Sequence, residues 1–512
     1  MADSSSRRRR SVAHPAEVSL SGIPGLDNVM AGGYPKGHLF LVEGDPGTGK
    51  TTLALQFLLQ GLKQGERGLY ITLSETAAEL AGVARSHGWS LDGIELFELM
   101  PDEEALRPDA QYTVFHPSEV ELTTTTQAIF EAVDRFKPTR VVVDSLSEMR
   151  LLSRESLRYR RQILGFKHFF AQHGATVLLL DDRSAEDGDI QLRSLAHGVL
   201  LLEQLALDFG AERRKLRVVK MRGVRYRGGY HDYIIRTGGI EVFPRLIAAE
   251  HHKPFERSNV ESGLTELDAL LGGGLDRGTS AMIMGPAGSG KTILSTQYAC
   301  AAAERGDHVA FLLFDERLAT FVDRAVRLGM PLQKHVRNEK ILLRQIDPAE
   351  VSPGEFAHTI VSEVERHNTQ LVVIDSLNGY ISAMPEERLL DVRLHELLSY
   401  LAQRGVTTLL TLAQHGMFAS VQGSQAEVSY LADSLIMLRF FEAFGEVRNA
   451  MSVLKKRSGH HEHTIREFQV TNHGVRVGEP LREFQGVLTG VPDYIGEKQP
   501  LLPHGGSFVG GQ

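Results

Sequence analysis

The sequence predicts an α/β protein made of two tandem copies of one domain, each a mainly parallel sheet flanked by helices. Three observations predict it: the chain repeats at long period, its apolar runs are short and separated by helical spacing, and each copy carries a glycine-rich loop between a strand and a helix. The repeat comes first. SGIPGLDNVMAGGYPKGHLFLVEG at 21–44 aligns with SGLTELDALLGGGLDRGTSAMIMG at 262–285. Ser21, Gly22, Leu26, Asp27, Gly33, Gly37 and Gly44 meet Ser262, Gly263, Leu267, Asp268, Gly274, Gly278 and Gly285, each 241 positions on. Later, RVVVDSL at 140–146 answers LVVIDSL at 371–377, and the offset falls to 231 because the loops differ in length. A chain of 512 residues also exceeds the roughly 250–300 at which one core stops growing. The expected domains are 17–249 and 260–490, joined by the polar segment EHHKPFERSN at 250–259, with a basic tail at 1–16 and a flexible tail at 491–512.

Within each copy the elements follow in order. HLFLVEG at 38–44 is a short apolar strand entering the first loop, and TTLALQFLLQGLKQG at 51–65 has helical spacing that ends at glycine. GLYITLSE at 68–75 and VAFLLFDE at 309–316 read as the next buried strands. VVVD and TVLLLDD at 176–182 continue the first copy, and LVVID and TLLTLAQ at 408–414 continue the second. Continuously apolar strands alternating with helices indicate a parallel sheet covered on both faces. In such sheets the active groups gather at the carboxyl ends of the strands.

Composition narrows the function classes. Hydrophobic residues make up 42% and charged residues 23%, an ordinary globular balance. With 56 basic against 64 acidic residues the net charge is −8, which argues against a nucleic-acid partner. No apolar run reaches the roughly 18 residues of a membrane span, and no signal peptide is read at the start. Cys300 is the single cysteine, read as a small core residue on the helix after the second loop. No disulfide can form within the chain, which fits a reducing cytoplasm.

The chemistry lies in the loops and strand ends. GDPGTGKT at 44–51 and GPAGSGKT at 285–292 each match the Walker A pattern of a P-loop nucleotide-binding domain. The ATP-binding residues expected are Gly44, Asp45, Pro46, Gly47, Thr48, Gly49, Lys50, Thr51 and the following Thr52. In the second copy they are Gly285, Pro286, Ala287, Gly288, Ser289, Gly290, Lys291, Thr292 and the following Ile293. The glycines turn backbone N–H groups toward phosphate, the lysine adds positive charge, and the Thr51 and Thr292 hydroxyls can ligate Mg²⁺. Asp144 and Asp375 each end an apolar strand before a serine, the Walker B arrangement, where a carboxylate holds Mg²⁺. Glu75 and Glu316, 241 apart, also end strands and can orient or deprotonate a nucleophile beside the γ-phosphate. Asp315 precedes Glu316, whereas Ser74 precedes Glu75, so the second site has paired carboxylates and the first has one.

With these motifs, SETAAEL, DERLATF, VVVDS, VVIDS and the ending KKRSGHHEHTIREFQVTNHG, the chain resembles the KaiC family of circadian-clock ATPases and autokinases over roughly residues 17–490. The resemblance implies two RecA-like modules, a homohexamer of two stacked rings with ATP at subunit interfaces, and slow hydrolysis. It also implies autophosphorylation in the C-terminal ring and dephosphorylation linked to ADP. Lys220 and Arg222 in VVKMRG, and Lys455 and Arg457 in VLKKRSG, match family positions that reach a neighbour's ATP phosphates. A cation supplied in trans stabilises the charge of phosphoryl transfer.

This sequence also departs from the family. Adjacent Ser and Thr phosphosites of the family stand here as Ser429 and Tyr430 in EVSYLADS, and Ser424 lies where a further Thr is expected. The resemblance then implies phosphate on Ser429, with Ser424 a minor site and Tyr430 unmodified because its hydroxyl lies farther from the backbone. Ser74 in place of an acid counts against fast or regulated hydrolysis at the first site. The tail KQPLLPHGGSFVGGQ at 498–512 matches a region where the family docks regulators, implying KaiB-like or signalling partners. Two other readings stay open: a DNA-dependent RecA- or RadA-like recombinase or helicase motor, and a nucleotide-sensing hexameric scaffold with little catalysis. The first would want a basic channel loop or an added DNA-binding domain, and the second is opposed by Glu75 and Glu316.

Overall fold

The apolar runs become strands buried on both faces. The structure, a computed structural model, describes residues 17–99, 117–153, 156–183, 189–207, 209–382, 390–414, 429–489 and 493–496. The basic tail at 1–16, the tail at 498–512 and Ser424 lie outside the described residues. The chain divides into two compact units between Arg245 and Leu246.

In the first unit the elements run β1 (Leu39–Gly44), α1 (Lys50–Lys63), β2 (Gly68–Thr72), α2 (Ala77–Ser86) and β3 (Ile94–Glu98). Next come α3 (Pro117–Phe136), β4 (Arg140–Asp144), α4 (Leu146–Ser153), α5 (Ser156–Gln172), β5 (Thr176–Asp182), α6 (Asp189–Leu195) and β6 (Gly198–Leu205). The strands β7 (Arg213–Met221), β8 (His231–Arg236) and β9 (Gly239–Phe243) follow. They form one nine-stranded sheet in the order β9-β8-β7-β6-β1-β5-β4-β2-β3. Pairing is parallel from β6 through β3 and antiparallel from β6 to β9.

The second unit repeats this plan. Its elements are β10 (Ser280–Pro286), α7 (Lys291–Glu304), β11 (Val309–Leu313), α8 (Leu318–Arg327), β12 (Ile341–Gln345) and α9 (Pro353–His367). They continue with β13 (Leu371–Asp375), α10 (Leu377–Ser382), α11 (Leu390–Gln403) and β14 (Thr407–Gln414). The strands β15 (Ser434–Ala443), β16 (Glu446–Lys456), β17 (Ile465–Thr471) and β18 (Gly474–Pro480) complete a nine-stranded sheet. Its order, β18-β17-β16-β15-β10-β14-β13-β11-β12, is that of the first sheet strand for strand.

Alternation along each strand supplies the two faces of the core. Phe40 and Val42 join Tyr70, Val142 and Leu178 on one side of the first sheet, while Leu39 and Leu41 join Leu69, Val141 and Val177 on the other. The second sheet is buried in the same way, Ile283 on one face and Met282 and Met284 on the other. Cys300 is buried on α7, and burial pushes its thiol up to about 12. The segment read as a linker packs on α11 of the second unit: Lys253 donates its N–H to Gln403 O at 3.1 Å, and the His251 ring meets Tyr400 at 5.1 Å.

One residue of the apolar run RVVVD does not suit its neighbours. Arg140 is 1% exposed, its guanidinium paired with Glu66 and donating to the carbonyls of Leu20 and Phe57 at 2.7 Å. Phe57 lies beneath it at 4.6 Å, and a Cβ on Gly61 would stand 2.5 Å from its Cδ. The corresponding position in the second copy is Leu371, so the two cores close the same strand in different ways.

Candidate phosphate sites

Both glycine-rich loops leave the carboxyl end of the central strand of their sheet. A Cβ on Gly44 would stand 2.8 Å from Leu202 O, and one on Gly285 would stand 2.5 Å from Leu438 O. Only glycine lets the chain leave the strand so close to its neighbour. Gly47, Gly49, Gly288 and Gly290 all take the left-handed region, with φ of 84, 90, 79 and 96°. Gly49 and Gly290 are the N-caps of α1 and α7, and neither offers a side chain to the first N–H groups. Those donors and the positive helix ends are therefore left for an anion. Thr48 Oγ1 donates to Asp45 O at 2.7 Å, while its counterpart Ser289 keeps a buried hydroxyl with no hydrogen-bond partner among the described residues. Pro46 and Ala287 form the turn of each loop, and Thr52 and Ile293 lie on the first turn of each helix.

The two lysines are buried and folded back on their loops. Lys50 Nζ donates to Gly44 O at 2.7 Å and Asp45 O at 3.1 Å, and Lys291 Nζ donates to Gly285 O at 2.9 Å and Pro286 O at 2.7 Å. Burial lowers the Lys291 ammonium pKa, opposed by Asp375. Lys50 has a further partner, Asp182 at the end of β5, at 2.8 Å. The register pairs Gly44 with Asp182 and Gly285 with Ala413, so the second copy has an alanine where the first has this carboxylate.

The carboxylates converge on the same ends. Thr51 Oγ1 donates to Asp144 Oδ2 at 3.3 Å, and the Thr292 hydroxyl hydrogen-bonds Asp375. Burial raises both carboxyls, and their hydrogen bonds oppose it. Each also receives a hydroxyl from a neighbouring strand, by two different routes. Tyr70 on β2 donates to Asp144 at 2.5 Å, and Thr411 on β14 donates to Asp375. The second copy has Phe311 in place of Tyr70, and the first has Leu180 in place of Thr411. Among the described residues no three His, Cys, Asp or Glu side chains form a metal cage. One threonine and one carboxylate suit Mg²⁺, which takes few protein ligands and completes its shell with phosphate and water.

The paired glutamates stand in unlike surroundings. Glu75 is partly buried with Oε2 buried and unpartnered among the described residues. Burial raises its pKa, Asp144 and Glu79 raise it further, and Lys50 opposes. Glu316 instead makes a two-point ion pair with Arg324 of α8, at 2.8 and 2.7 Å. Asp315 accepts from the Ser376 hydroxyl at 2.5 Å, whereas Ser74 is exposed.

The basic pairs lie at the other end of each sheet. Lys220 is opposite Val199, which pairs with Leu41, three residues before Gly44 and so about 10 Å from it along the strand. Lys220 Nζ donates to the carbonyls of Arg193, Ser194 and Ala196, and Arg222 donates to Ser194 O at 2.8 Å. Lys455 likewise faces Leu435, which pairs with Met282, three residues before Gly285. It donates to Ala432 O at 2.7 Å, and Arg457 donates to Tyr430 O at 3.1 Å. Ser429 opens a 3-10 turn, Ser429–Leu431, just before β15, at this same end, and Tyr430 is half exposed. Neither basic pair therefore reaches the phosphate loop of its own copy.

Sequence reading did not assign roles to Asp182, Tyr70, Thr411 or Arg324. Asp182 carried a usable signal, because it ends an apolar strand as Asp144 does. The others are long-range or side-chain relations that spacing does not reveal.

The model of the KaiC ATPase family matches residues 20–247 and 260–482. "Circadian clock protein KaiC3" of Synechocystis sp. is 26% identical over 491 residues, covering 94% of this chain and 95% of its own. "Circadian clock oscillator protein KaiC" of Synechococcus elongatus is 27% identical over 482 residues, covering 92% and 91%. The protein of the same name from Thermosynechococcus vestitus is 26% identical over 479 residues, covering 92% and 91%. No described helix is long and apolar enough to cross a membrane.

Proposed function

The chain belongs to the KaiC family of ATPases, and from that premise we propose that it is a nucleotide-driven homohexamer with two kinds of site. Both phosphate loops bind ATP between neighbouring copies, both hydrolyse it, and the second loop also serves transfer to Ser429. The observation that carries this reading is the position of the basic pairs. Lys220 and Lys455 sit about 10 Å along the strands from their own loops, and all four cations are held on carbonyls of their own copy, Arg222 on Ser194 and Arg457 on Tyr430. Cations so placed do not serve their own loop, and we read them as groups that turn to a neighbouring copy's phosphates.

The residues of each loop divide the work. Backbone N–H groups and Lys50 or Lys291 bind the phosphates and neutralise charge. Thr51 with Asp144, and Thr292 with Asp375, would hold Mg²⁺, which would supply charge neutralisation to the phosphates. Glu75 accepts the proton of an attacking water. The water oxygen bonds to the γ-phosphorus, the bond to the bridging oxygen breaks, and ADP leaves. Burial raises the Glu75 carboxyl and so improves its match to proton transfer near neutral pH. In the second site the acceptor is the Ser429 hydroxyl of a neighbouring copy, with Asp315 and Glu316 at the strand end to take its proton. Ser424 is a minor acceptor, and a KaiB-like or other signalling protein is the partner class.

Sedimentation with and without Mg·ATP tests assembly, and phosphopeptide mass spectrometry after incubation tests transfer. A hexamer formed only with Mg·ATP, and phosphate on Ser429, are the expected results. An ATP-saturated monomer would rule out the interfacial site, and abundant phosphotyrosine at 430 would reject the choice of acceptor.

A further inference from the structure

The two glutamates occupy equivalent places in the repeat, yet different groups hold them. After β2, the turn into α2 is fixed by a capping box, in which Thr76 accepts from the Glu79 N–H and Glu79 accepts from the Thr76 N–H. In the second copy Arg317 stands for Thr76 and Thr320 for Glu79, and α8 begins with no side-chain cap. What ties down this turn is the pair between Glu316 and Arg324, eight residues farther along and two turns up the helix. Each carboxylate oxygen accepts one guanidinium N–H, so the pair fixes the direction of the carboxylate and holds it toward α8. Arg324 itself is steadied by the Phe321 ring, 5.7 Å from its guanidinium. The residue at its place in the first copy is Val83, which packs into the core and leaves Glu75 with its Oε2 unpartnered among the described residues.

We propose that Arg324 is a positioning residue that withholds Glu316 from the second phosphate site, so that ATP bound there turns over slowly until the pair opens. Val83 imposes no such restraint on Glu75. This inference rests on the proposed base role of the two glutamates. Retention of ATP where a protein hydroxyl must compete with water for the γ-phosphoryl group is the use of such a latch. The pair is 36% exposed at Arg324 and 23% at Glu316, so its hold is modest and reversible.

The test is made in the full-length chain carrying Glu75→Gln, in which remaining ATP turnover reports the second site. Adding Arg324→Val should raise kcat about fivefold, the factor that an ion pair of this exposure holds back, with KM unchanged. Arg324→Lys keeps the charge but loses the two-point geometry and should give an intermediate rise. In the reciprocal background of Glu316→Gln, Val83→Arg should slow the first site. A kcat unchanged or lowered by Arg324→Val, with only KM raised or melting temperature lowered, would assign Arg324 a purely structural role and overturn the proposal. Should Glu75→Gln with Glu316→Gln together leave turnover intact, the base assignment fails instead. A wild-type chain with no ATP turnover overturns the functional reading and this inference with it.

Discussion

Replacing Asp182 by Ala should tighten ATP binding at the first loop, because that carboxylate competes with phosphate for Lys50. The ion pair is 2.8 Å long, with Lys50 9% and Asp182 45% exposed. Unit charges about 3 Å apart attract by about 1.4 kcal/mol under water-like screening. Desolvation and side-chain ordering take part of that back, leaving roughly 1 kcal/mol. Phosphate must displace this contact, so its removal should lower Kd about fivefold. Lys50 stays in place without Asp182, since Gly44 O and Asp45 O still accept from it. The second copy already has Ala413 at this position and serves as the internal reference. Titration with a fluorescent ATP analogue in a Lys291→Ala background isolates the first loop. An unchanged or weakened Kd would refute the competition and mark Asp182 as part of the nucleotide site instead.

Arg140→Leu should destabilise the first unit by about 3–5 kcal/mol, because Glu66 and the carbonyls of Leu20 and Phe57 lose a buried partner. Chemical denaturation would show the loss, and a fall under about 1 kcal/mol would mean the pocket rearranges. Gly285→Ala should abolish nucleotide binding at the second loop, since its methyl group would stand 2.5 Å from Leu438 O and 2.9 Å from Ser289 Oγ. The same titration in a Lys50→Ala background checks it. His197 is held down to about 4, first by burial and then by His38, whose ring lies 3.8 Å away. A His lowered from 6.5 contributes stability that is complete above 6.5 and lost as pH falls toward 4, because only the unfolded chain binds the proton readily. His197→Phe should flatten that part of the melting-temperature profile, and an unchanged slope between pH 6.5 and 4 would count against it.

Much of this was legible because it is local in sequence. Glycines, lysine and threonine of each loop are contiguous, and Asp144 and Asp375 declare themselves by ending apolar strands, while Glu75 and Glu316, read as strand ends, stand three residues past β2 and β11 in the turns to α2 and α8. The parallel strands were readable because both faces are buried, so their runs are continuous. β7 to β9 were less readable: Arg213–Met221 mixes arginines and lysines with Leu216 and Val218, the pattern of a strand nearer a sheet edge. Arg140 hid inside an apolar run because its partners, Leu20, Phe57 and Glu66, are far away in sequence. The hydroxyl on the Walker B carboxylate moved from β2 in one copy to β14 in the other, a compensation that no single aligned position displays. Glu316 looked like the better base by its acidic neighbour, yet the fold pairs both its carboxylate oxygens with Arg324.

The central claim, that each nucleotide site is completed by another copy, can be tested by mixing two inactive chains. One carries Glu75→Gln and Glu316→Gln, which leave both loops able to bind ATP for assembly, with both basic pairs intact. The other keeps its loops and carries Lys220→Ala, Arg222→Ala, Lys455→Ala and Arg457→Ala. Random co-assembly should make about a quarter of the interfaces complete, so the mixture should hydrolyse ATP at up to that fraction of the wild-type rate while each chain alone stays near background. A silent mixture, or full turnover by the second chain alone, would contradict a site shared between copies.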